Sequence, residues 1–421
     1  MTMVSTVNEK QLVSQVTQRY LESPDFNGFP FGCPPSLRSG AYKTVYRLVS
    51  DGVISVNFGD RHPNPHIQAF EPESIPVQLE KLRKLQFRQA CLYPTRQYLL
   101  EVLDQSKYAG RPFSLMIALG APQLSYLSFD LTVLEFYRND PRYSYFCDDI
   151  GGKISVTNEA WQKDQLRPSD KVILQTFGFS HDADLNRAVA VYLCYLANLT
   201  PEHQQIWHAK LLPSIFALHP HYHRLTMGHW DEGGSVFKAV FVEQQLINAM
   251  CRAARPPALF SREYSDGPPR GFGFLIRPTL LEFNSFILIL DKLLSENINR
   301  NFFKKDISLE KEVRRHDGKI SVTQKGSLTL LEEWLNKKFP SRKASNPIVV
   351  EAFKKIRKLR QRPAHIIEDD AFDQEYLKRQ RDLIVDVYKA LREVRTMLGQ
   401  AKSASSCRVP SWISSNKVWI C

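Results

Sequence analysis

The chain has 421 residues, of which 43% are hydrophobic and 24% charged, and its formal net charge is +12. This balance is typical of a globular protein and excludes a wholly disordered or fibrous chain. The length allows two or three domains. We expect no membrane span, because no run of about 18 uncharged apolar residues occurs, and the first twenty residues lack the apolar core of a signal peptide.

Cysteine usage points to a reducing compartment. An odd number of cysteines is spread along the chain without a Cys-x-x-Cys pair: Cys33, Cys91, Cys147, Cys194, Cys251, Cys407 and Cys421. Such a set favours free thiols over a disulfide framework or a zinc site. We therefore expect a cytoplasmic protein.

The N-terminal part mixes helix and strand patterns. Residues 1–35 predict a short amphipathic helix and a connector, and residues 36–180 predict a mixed α+β domain. Alternation from Tyr42 to Phe58 predicts a β-hairpin with Asp51-Gly52 as its turn. Further strands are predicted at Phe113–Leu119, Leu124–Phe129, Thr132–Tyr137 and Val172–Phe179, and helices near Val77–Phe87 and Thr95–Gln105.

One phrase recurs three times along the chain. It reads GVISVN at Gly52–Asn57 and GKISVT at both Gly152–Thr157 and Gly318–Thr323. Each copy predicts a strand that follows a turn. The spacing is too irregular for a solenoid, so we interpret the phrase as recurring turn chemistry.

Helices dominate from residue 181 onward. Residues 181–270 predict a helical region and a linker, with helices at Asp184–Leu196, at Pro201–Leu211 after a Thr200 cap, and at Ser235–Ala253. The stretch from Ala254 to Gly273 is rich in Pro and Gly and predicts the linker.

Residues 271–400 predict four amphipathic helices: Thr279–Asn297, Leu328–Lys338, a third that begins at Asn346, and Phe372–Leu398. Helices of this kind and length form bundles. A basic segment, residues 304–326, is inserted between the first two, and residues 401–421 predict a flexible, serine-rich tail. The predicted fold class is α+β, with a mixed α/β N-terminal region, a helical region and a C-terminal four-helix bundle.

Positive charge is concentrated in the third of these helices. Residues 301–400 hold 23 Lys and Arg against 15 Asp and Glu. Six cations occur within nine residues: Lys354, Lys355, Arg357, Lys358, Arg360 and Arg362. Such a cluster is an electrostatic footprint for a polyanion. A solvated helix face explains the charge equally well.

Other candidate sites carry less weight. HPHYHRLTMGHW holds His219, His221, His223 and His229, and strand alternation would place three imidazoles on one face, as Zn or Cu requires. Pro220 disfavours a regular strand, so we expect a polar loop and no metal site. Neither GxxxxGK[ST] nor GxSxG occurs, which leaves a Walker site and a serine hydrolase unsupported.

Arg360 and His365 form the strongest catalytic candidate. On a regular helix they would lie about 140° apart. Pro363 lacks an N–H and crowds the carbonyl of Leu359, so a break is predicted that can turn both side chains toward one cleft. Histidine can transfer protons at neutral pH, and a guanidinium can hold a phosphate. Together they suffice, without metal, for attack of a ribose 2′-OH on its phosphodiester.

This Arg–x4–His pair, placed between the third and fourth helices of a C-terminal bundle, resembles the HEPN (higher eukaryote and prokaryote nucleotide-binding) domain. The resemblance covers roughly residues 275–400. Many HEPN proteins are metal-independent ribonucleases in toxin–antitoxin, abortive-infection and antiviral defence systems, with a cleft formed between two bundles. The resemblance implies a homodimer through the C-terminal bundle and cofactor-free RNA cleavage by Arg360 and His365. Gln361 departs from the Asn, Asp or His common in catalytic members.

Three interpretations stay open. In the first, the chain is a HEPN-type endoribonuclease, with Arg357 and Arg362 as further phosphate contacts and Lys354, Lys355 and Lys358 as RNA ligands. In the second, the basic helix 347–362 belongs to a non-catalytic module that binds nucleic acid or protein. In the third, His365 pairs with a nearby carboxylate and Arg360 stabilises the helix C-terminus, where cations are favoured. By elimination, the N-terminal region senses or positions a substrate.

Overall fold

The computed structural model describes residues 8–31, 40–84, 90–163, 166–184, 186–213, 215–228, 233–254, 256–264, 267–314, 320–342, 346–361 and 369–420. The protein is of mixed α+β class, with its longest helices in the C-terminal part. Within the described residues, no helix combines the length and the apolar composition that a bilayer crossing requires.

The helices are α1 (Glu9–Glu22), α2 (Gly40–Ser50), α3 (Ile75–Arg83), α4 (Arg96–Val102), α5 (Pro112–Ala118), α6 (Val133–Arg138), α7 (Asn158–Gln162), α8 (Leu193–Ala197), α9 (Pro201–His208), α10 (Pro220–Thr226), α11 (Val236–Ala254), α12 (Leu280–Leu293), α13 (Ser327–Lys338), α14 (Asn346–Gln361), α15 (Glu375–Leu398) and α16 (Ser411–Ser414). The strands are β1 (Phe29–Phe31), β2 (Ile54–Asn57), β3 (Ala90–Pro94), β4 (Tyr126–Phe129), β5 (Tyr143–Cys147), β6 (Gly151–Val156), β7 (Ile173–His181), β8 (Arg187–Tyr192), β9 (Ala217–Leu218), β10 (Gly234–Ser235), β11 (Glu310–Arg314), β12 (Ile320–Gln324) and β13 (Val418–Trp419). The chain divides into unit 1, Met1–Tyr143 with Lys153–Leu218, and unit 2, Ser144–Gly152 with His219–Cys421.

Two sheets contain most of the strands. The first has the order β1-β3-β2, with Leu92 of β3 opposite both Phe29 and Val56. Side chains of α1 and α2, such as Val16 and Val49, are fully buried in the core that this sheet shares. The second has the order β4-β8-β7-β6-β5, with β9 paired to β7. Its strand β8 is buried almost throughout, as expected for a strand covered on both faces.

The predicted hairpin at Tyr42–Phe58 is wrong in its first half, which forms α2. Val45 and Val49 are both fully buried, four positions apart, so the helical period outweighs the alternation. Gly52 has φ of 71°. The backbone N–H of Gly52 donates to Val49 and that of Val53 donates to Leu48. Asp51-Gly52 is thus a glycine-terminated helix end rather than a hairpin turn.

Three other short segments also differ from prediction. The predicted strand Phe113–Leu119 forms α5, which begins at Pro112 and buries Phe113 and Ile117 on one face. The predicted strand Thr132–Tyr137 forms α6. The predicted helix at Asp184–Leu196 is strand β8 followed by the single turn α8, because a run that is apolar on all sides has no period to distinguish the two.

The strands predicted at Leu124–Phe129 and Val172–Phe179 are confirmed by β4 and β7. The three copies of the repeated phrase all contain strands, namely β2, β6 and β12. The helices predicted near residues 77–87, 95–105, 201–211 and 235–253 are confirmed by α3, α4, α9 and α11, with ends shifted by a few residues.

Unit 2 is built on one apolar core. Its five longest helices, α11 to α15, each contribute fully buried side chains, for example Ile247, Leu290, Leu331, Phe353 and Leu391. The four helices predicted after residue 271 are confirmed by α12 to α15. Helix α11 shares the core of α12 to α15, although it was predicted to belong to a separate helical region.

The segment expected to be a flexible tail is packed against unit 2. Ile413 is completely buried in the same core as the long helices. Strand β13 pairs in parallel with β10, with Val418 opposite Gly234. The prediction of a flexible tail was based on serine content alone. The apolar residues between the serines supply the packing contacts with the core of unit 2. The insertion at residues 304–326 contains the β11–β12 hairpin, in which Glu312 is opposite Val322.

Candidate nucleic-acid interface

The basic helix α14 owes its position to a narrow apolar face. Val349, Phe353 and Ile356 recur at helical spacing and are buried, so α14 packs into the core with its charged side chains turned away from it. The structure describes α14 as far as Gln361, and residues 362–368 lie outside the described part of the chain.

Arg357 and Arg360 are both bound to one carboxylate of α12. Nε of Arg357 donates to Oδ1 of Asp291 at 3.1 Å, and Nη1 of Arg360 donates to Oδ2 at 2.6 Å. The Asp291 side chain is 0% exposed. Arg360 also pairs with Glu296, and the two carboxylates raise the pKa of Arg360. Two positive and two negative charges thus offset one another at this end of α14.

The lysines of α14 have more exposed partners. Lys354 lies 3.0 Å from Glu332, and both side chains are 42% exposed. Lys355 lies 2.8 Å from Asp386 of α15, with the two side chains 52% and 40% exposed. Lys358 forms no ion pair with any residue that the structure describes. Lysine and arginine on this one helix are therefore in different environments.

A groove of about 490 Å³ lies between α14 and α15. Four lysines and two acids are among the residues that line it: Ile348, Glu351, Ala352, Lys354, Lys355, Lys358, Asp386 and Lys389. Neither Arg357 nor Arg360 is part of this lining. The groove accordingly presents flexible ammonium groups, which can follow a phosphate backbone, rather than a fixed guanidinium pair.

The remaining predicted residues of this site, Arg362 and His365, lie outside the described residues, as does Pro363. The structure thus gives the environment of Arg360 without that of its proposed catalytic partner. The two acids at Arg360 were not expected. They are 69 and 64 positions away in sequence, and no local pattern links them to the motif.

The histidine cluster is neither a strand nor a loop. Pro220–Thr226 forms α10, with Pro220 in its first turn, where proline is favoured. The His219 ring accepts a hydrogen bond from the backbone N–H of His221, and the His221 ring stacks on Trp419 at 4.2 Å between centroids. In the described part of the chain, no group of three His, Cys, Asp or Glu side chains is placed to hold a metal ion. His229 lies outside that part.

An acidic pair that the sequence analysis overlooked lies at the start of α11. Ser235 Oγ donates to Oδ1 of Asp149 at 2.6 Å. The backbone N–H groups of Ile150 and Gly151 donate to Oδ1 of Asp148 at 2.9 and 3.0 Å. Burial and the neighbouring Asp149 raise the pKa of Asp148 to about 7. Adjacent aspartates followed by Ile-Gly-Gly were the only signal in the sequence.

No protein-family model, curated protein or solved structure matches this chain. The environments of its own side chains are therefore the basis for assigning a function.

Proposed function

We propose that unit 2 binds RNA through the groove between α14 and α15. The observation that carries this proposal is the set of four lysines, Lys354, Lys355, Lys358 and Lys389, in one open groove that has two acids in its lining. Contacts between lysine and phosphate supply most of the non-specific affinity for nucleic acid. RNA is chosen as the ligand because the HEPN resemblance favours it.

The existing ion pairs of the lysines do not prevent this binding. An exposed pair such as Lys355 with Asp386 contributes about 0–1 kcal/mol, so a phosphate can replace the carboxylate at little cost. Arg360 differs, because replacing Asp291 by a phosphate would leave a fully buried carboxylate with one cation fewer. Breaking a buried pair costs about 3–5 kcal/mol. The proposal therefore assigns phosphate binding to the lysines and an anchoring role to Arg357 and Arg360.

The test is fluorescence anisotropy with a labelled single-stranded RNA of about 20 nucleotides, measured from about 50 to 200 mM salt. The test variant carries Lys355→Gln, Lys358→Gln and Lys389→Gln. If each lysine releases one counterion, the slope of log affinity against log salt should fall by about 2, since each contact contributes about 0.7 for single strands.

The matched control carries the same number of Lys→Gln changes on exposed positions of unit 2 away from the groove, at Lys292, Lys304 and Lys311. Its slope should stay near that of the unsubstituted protein. Equal losses in both triple variants would show that net charge matters and the groove does not. Absence of RNA affinity at about 50 mM salt would reject the binding proposal altogether.

A ribonuclease of HEPN type is the second candidate, which the resemblance of the Arg360–x4–His365 pair to the HEPN motif and the basic character of α14 support. In this version the four-helix bundle of α12 to α15 is a HEPN domain and the protein is a homodimer that acts in toxin or phage-defence systems.

Cleavage of RNA in the presence of EDTA, lost on His365→Ala by about 10²–10⁴-fold, is the expected result for this second candidate. RNA affinity should survive that substitution, because the lysines carry the binding. Light scattering on the purified chain tests the homodimer. RNA that stays intact with and without EDTA would remove the enzyme and leave the binding module.

A further inference from the structure

A large cavity of unit 1 has no part in the function proposed above. It is a cleft of about 1,110 Å³, bordered by one side of α1, by α4 and by the turn that leads into α5. Binding sites for small molecules usually measure about 300–1,000 Å³. The cleft is large enough for a ligand of several rings or groups.

The acids and the cations that line the cleft are in different states. Glu9 pairs with Arg47 of α2, and Asp104 accepts hydrogen bonds from the N–H and the hydroxyl of Ser106, which keep the pKa of Asp104 low. Lys10 and Lys107, by contrast, form no ion pair with any described residue. An anionic ligand at Lys10 or Lys107 therefore has no directly paired carboxylate of the described residues to displace.

Aromatic side chains stand beside these cations. The Arg111 guanidinium lies 5.5 Å from the centroid of the Tyr108 ring, and its Nη2 donates to the carbonyl of Lys107 at 3.0 Å. Phe26 lies on the other side, 6.5 Å from Tyr108 between centroids. A planar ring and a charged group can thus be bound within a short distance of each other.

Two further features indicate a built site. Thr17 of α1 is among the residues that line this cleft, and its Oγ1 is buried without a hydrogen-bond partner among the described residues. Phe26 has φ of 50°, a left-handed conformation that is rare for a bulky residue. Residues in strained backbone conformations cluster at active and ligand-binding sites.

We propose that this cleft binds a nucleotide, that is, a planar ring carrying phosphate groups. Lys107 and Arg111 bind the phosphates, and Tyr108 contacts the ring. The proposal does not depend on RNA binding by unit 2.

Isothermal titration of the full chain with ATP tests the proposal, with adenosine and inorganic tripolyphosphate as partial probes. ATP should bind more tightly than either part. Arg111→Ala should weaken ATP by roughly ten- to a hundredfold, as expected for one hydrogen bond to a charged group. Tyr108→Leu should weaken ATP and adenosine but leave tripolyphosphate unchanged.

Arg83→Ala is the control, because Arg83 stacks on Tyr46 in the same way, 5.4 Å from the ring centroid, outside the cleft lining. ATP affinity should not respond to it.

Three results would overturn the proposal. The first is no heat of binding for ATP at millimolar concentration. The second is ATP affinity that is unchanged in both Arg111→Ala and Tyr108→Leu. The third is an equal loss in Arg83→Ala, which would mean general attraction of anions to unit 1. None of these results bears on the lysine groove, so the two proposals fail separately.

Discussion

Arg360→Met removes the guanidinium that links α14 to α12 and keeps most of the aliphatic stem. In the unsubstituted protein Arg360 shares the buried Asp291 with Arg357 and also pairs with Glu296. The substitution leaves Asp291 with one cation instead of two. If Arg360 is an anchor, unit 2 should lose stability. If Arg360 is held only for catalysis, stability should barely change.

The magnitude follows from the burial of the two partners. Complete loss of a buried ion pair costs about 3–5 kcal/mol. Two features reduce this value here: Arg357 stays at 3.1 Å from Asp291, and the Arg360 side chain is itself 29% exposed, so water reaches one side of the pair. We expect a loss of about 2 kcal/mol, which is roughly a 30-fold change in the unfolding equilibrium.

Urea unfolding followed by circular dichroism measures the loss, and hydrogen exchange of peptides from α12 and α14 locates it in unit 2. Lys358→Met is the matched control on the same helix and should stay within about 0.5 kcal/mol of the unsubstituted protein. A cycle with Asp291→Asn should give a coupling energy of at least about 1 kcal/mol. Equal stability of Arg360→Met and Lys358→Met would refute the anchoring role.

The remaining predictions concern pH. Tyr137 Oη and Nδ1 of the buried His203 share a hydrogen bond of 2.8 Å, Tyr137 also accepts from Trp207, and burial lowers the pKa of His203. The contribution of His203 to the free energy of unfolding is full above pH 6.5 and is lost as pH falls, by up to about 1.4 kcal/mol per pH unit. The unfolding temperature should therefore change less between pH 7.5 and 5.5 in His203→Asn than in the unsubstituted protein. Asp148 has the opposite sign: its raised pKa gives stability that is complete below about 4 and is lost as pH rises to about 7. At pH 8, Asp148→Asn should therefore unfold at a higher temperature than the unsubstituted protein. An equal or lower unfolding temperature would contradict the raised pKa of Asp148.

Long amphipathic helices were the easiest elements to predict. The ends of α13 and α15 lie within a few residues of the predicted ones, because a polar face and an apolar face over more than ten residues leave a single period. Short segments such as Phe113–Leu119 and Thr132–Tyr137 contain too few residues to show a period, and β-branched or aromatic content then favoured strands wrongly. Asp51-Gly52 was predicted to be the turn of a hairpin, but it ends helix α2 instead.

The candidate sites were only partly predictable for a different reason. The cations of α14 lie close together in sequence, so the sequence alone indicated the cluster. The residue that separates them into two classes, Asp291, lies 66 positions before Arg357 and looks like an ordinary helix carboxylate. The cleft of unit 1 was not foreseen at all, since its lining runs from Glu9 to Ala197. Contacts at such separations depend on the tertiary fold.

Charge density alone therefore does not identify the phosphate ligands of a basic helix. A cation whose partner is exposed can exchange it for a phosphate at a cost of about 1 kcal/mol or less, whereas a cation whose partner is fully buried cannot. On α14 this criterion separates Lys355 from Arg360, although both carry one charge and each has a carboxylate within 3 Å. The ribonuclease candidate must meet the same criterion. Arg360 can stabilise a reacting phosphate only with donors that Asp291 and Glu296 leave unused, so cleavage would require the guanidinium to serve the fold and the substrate together.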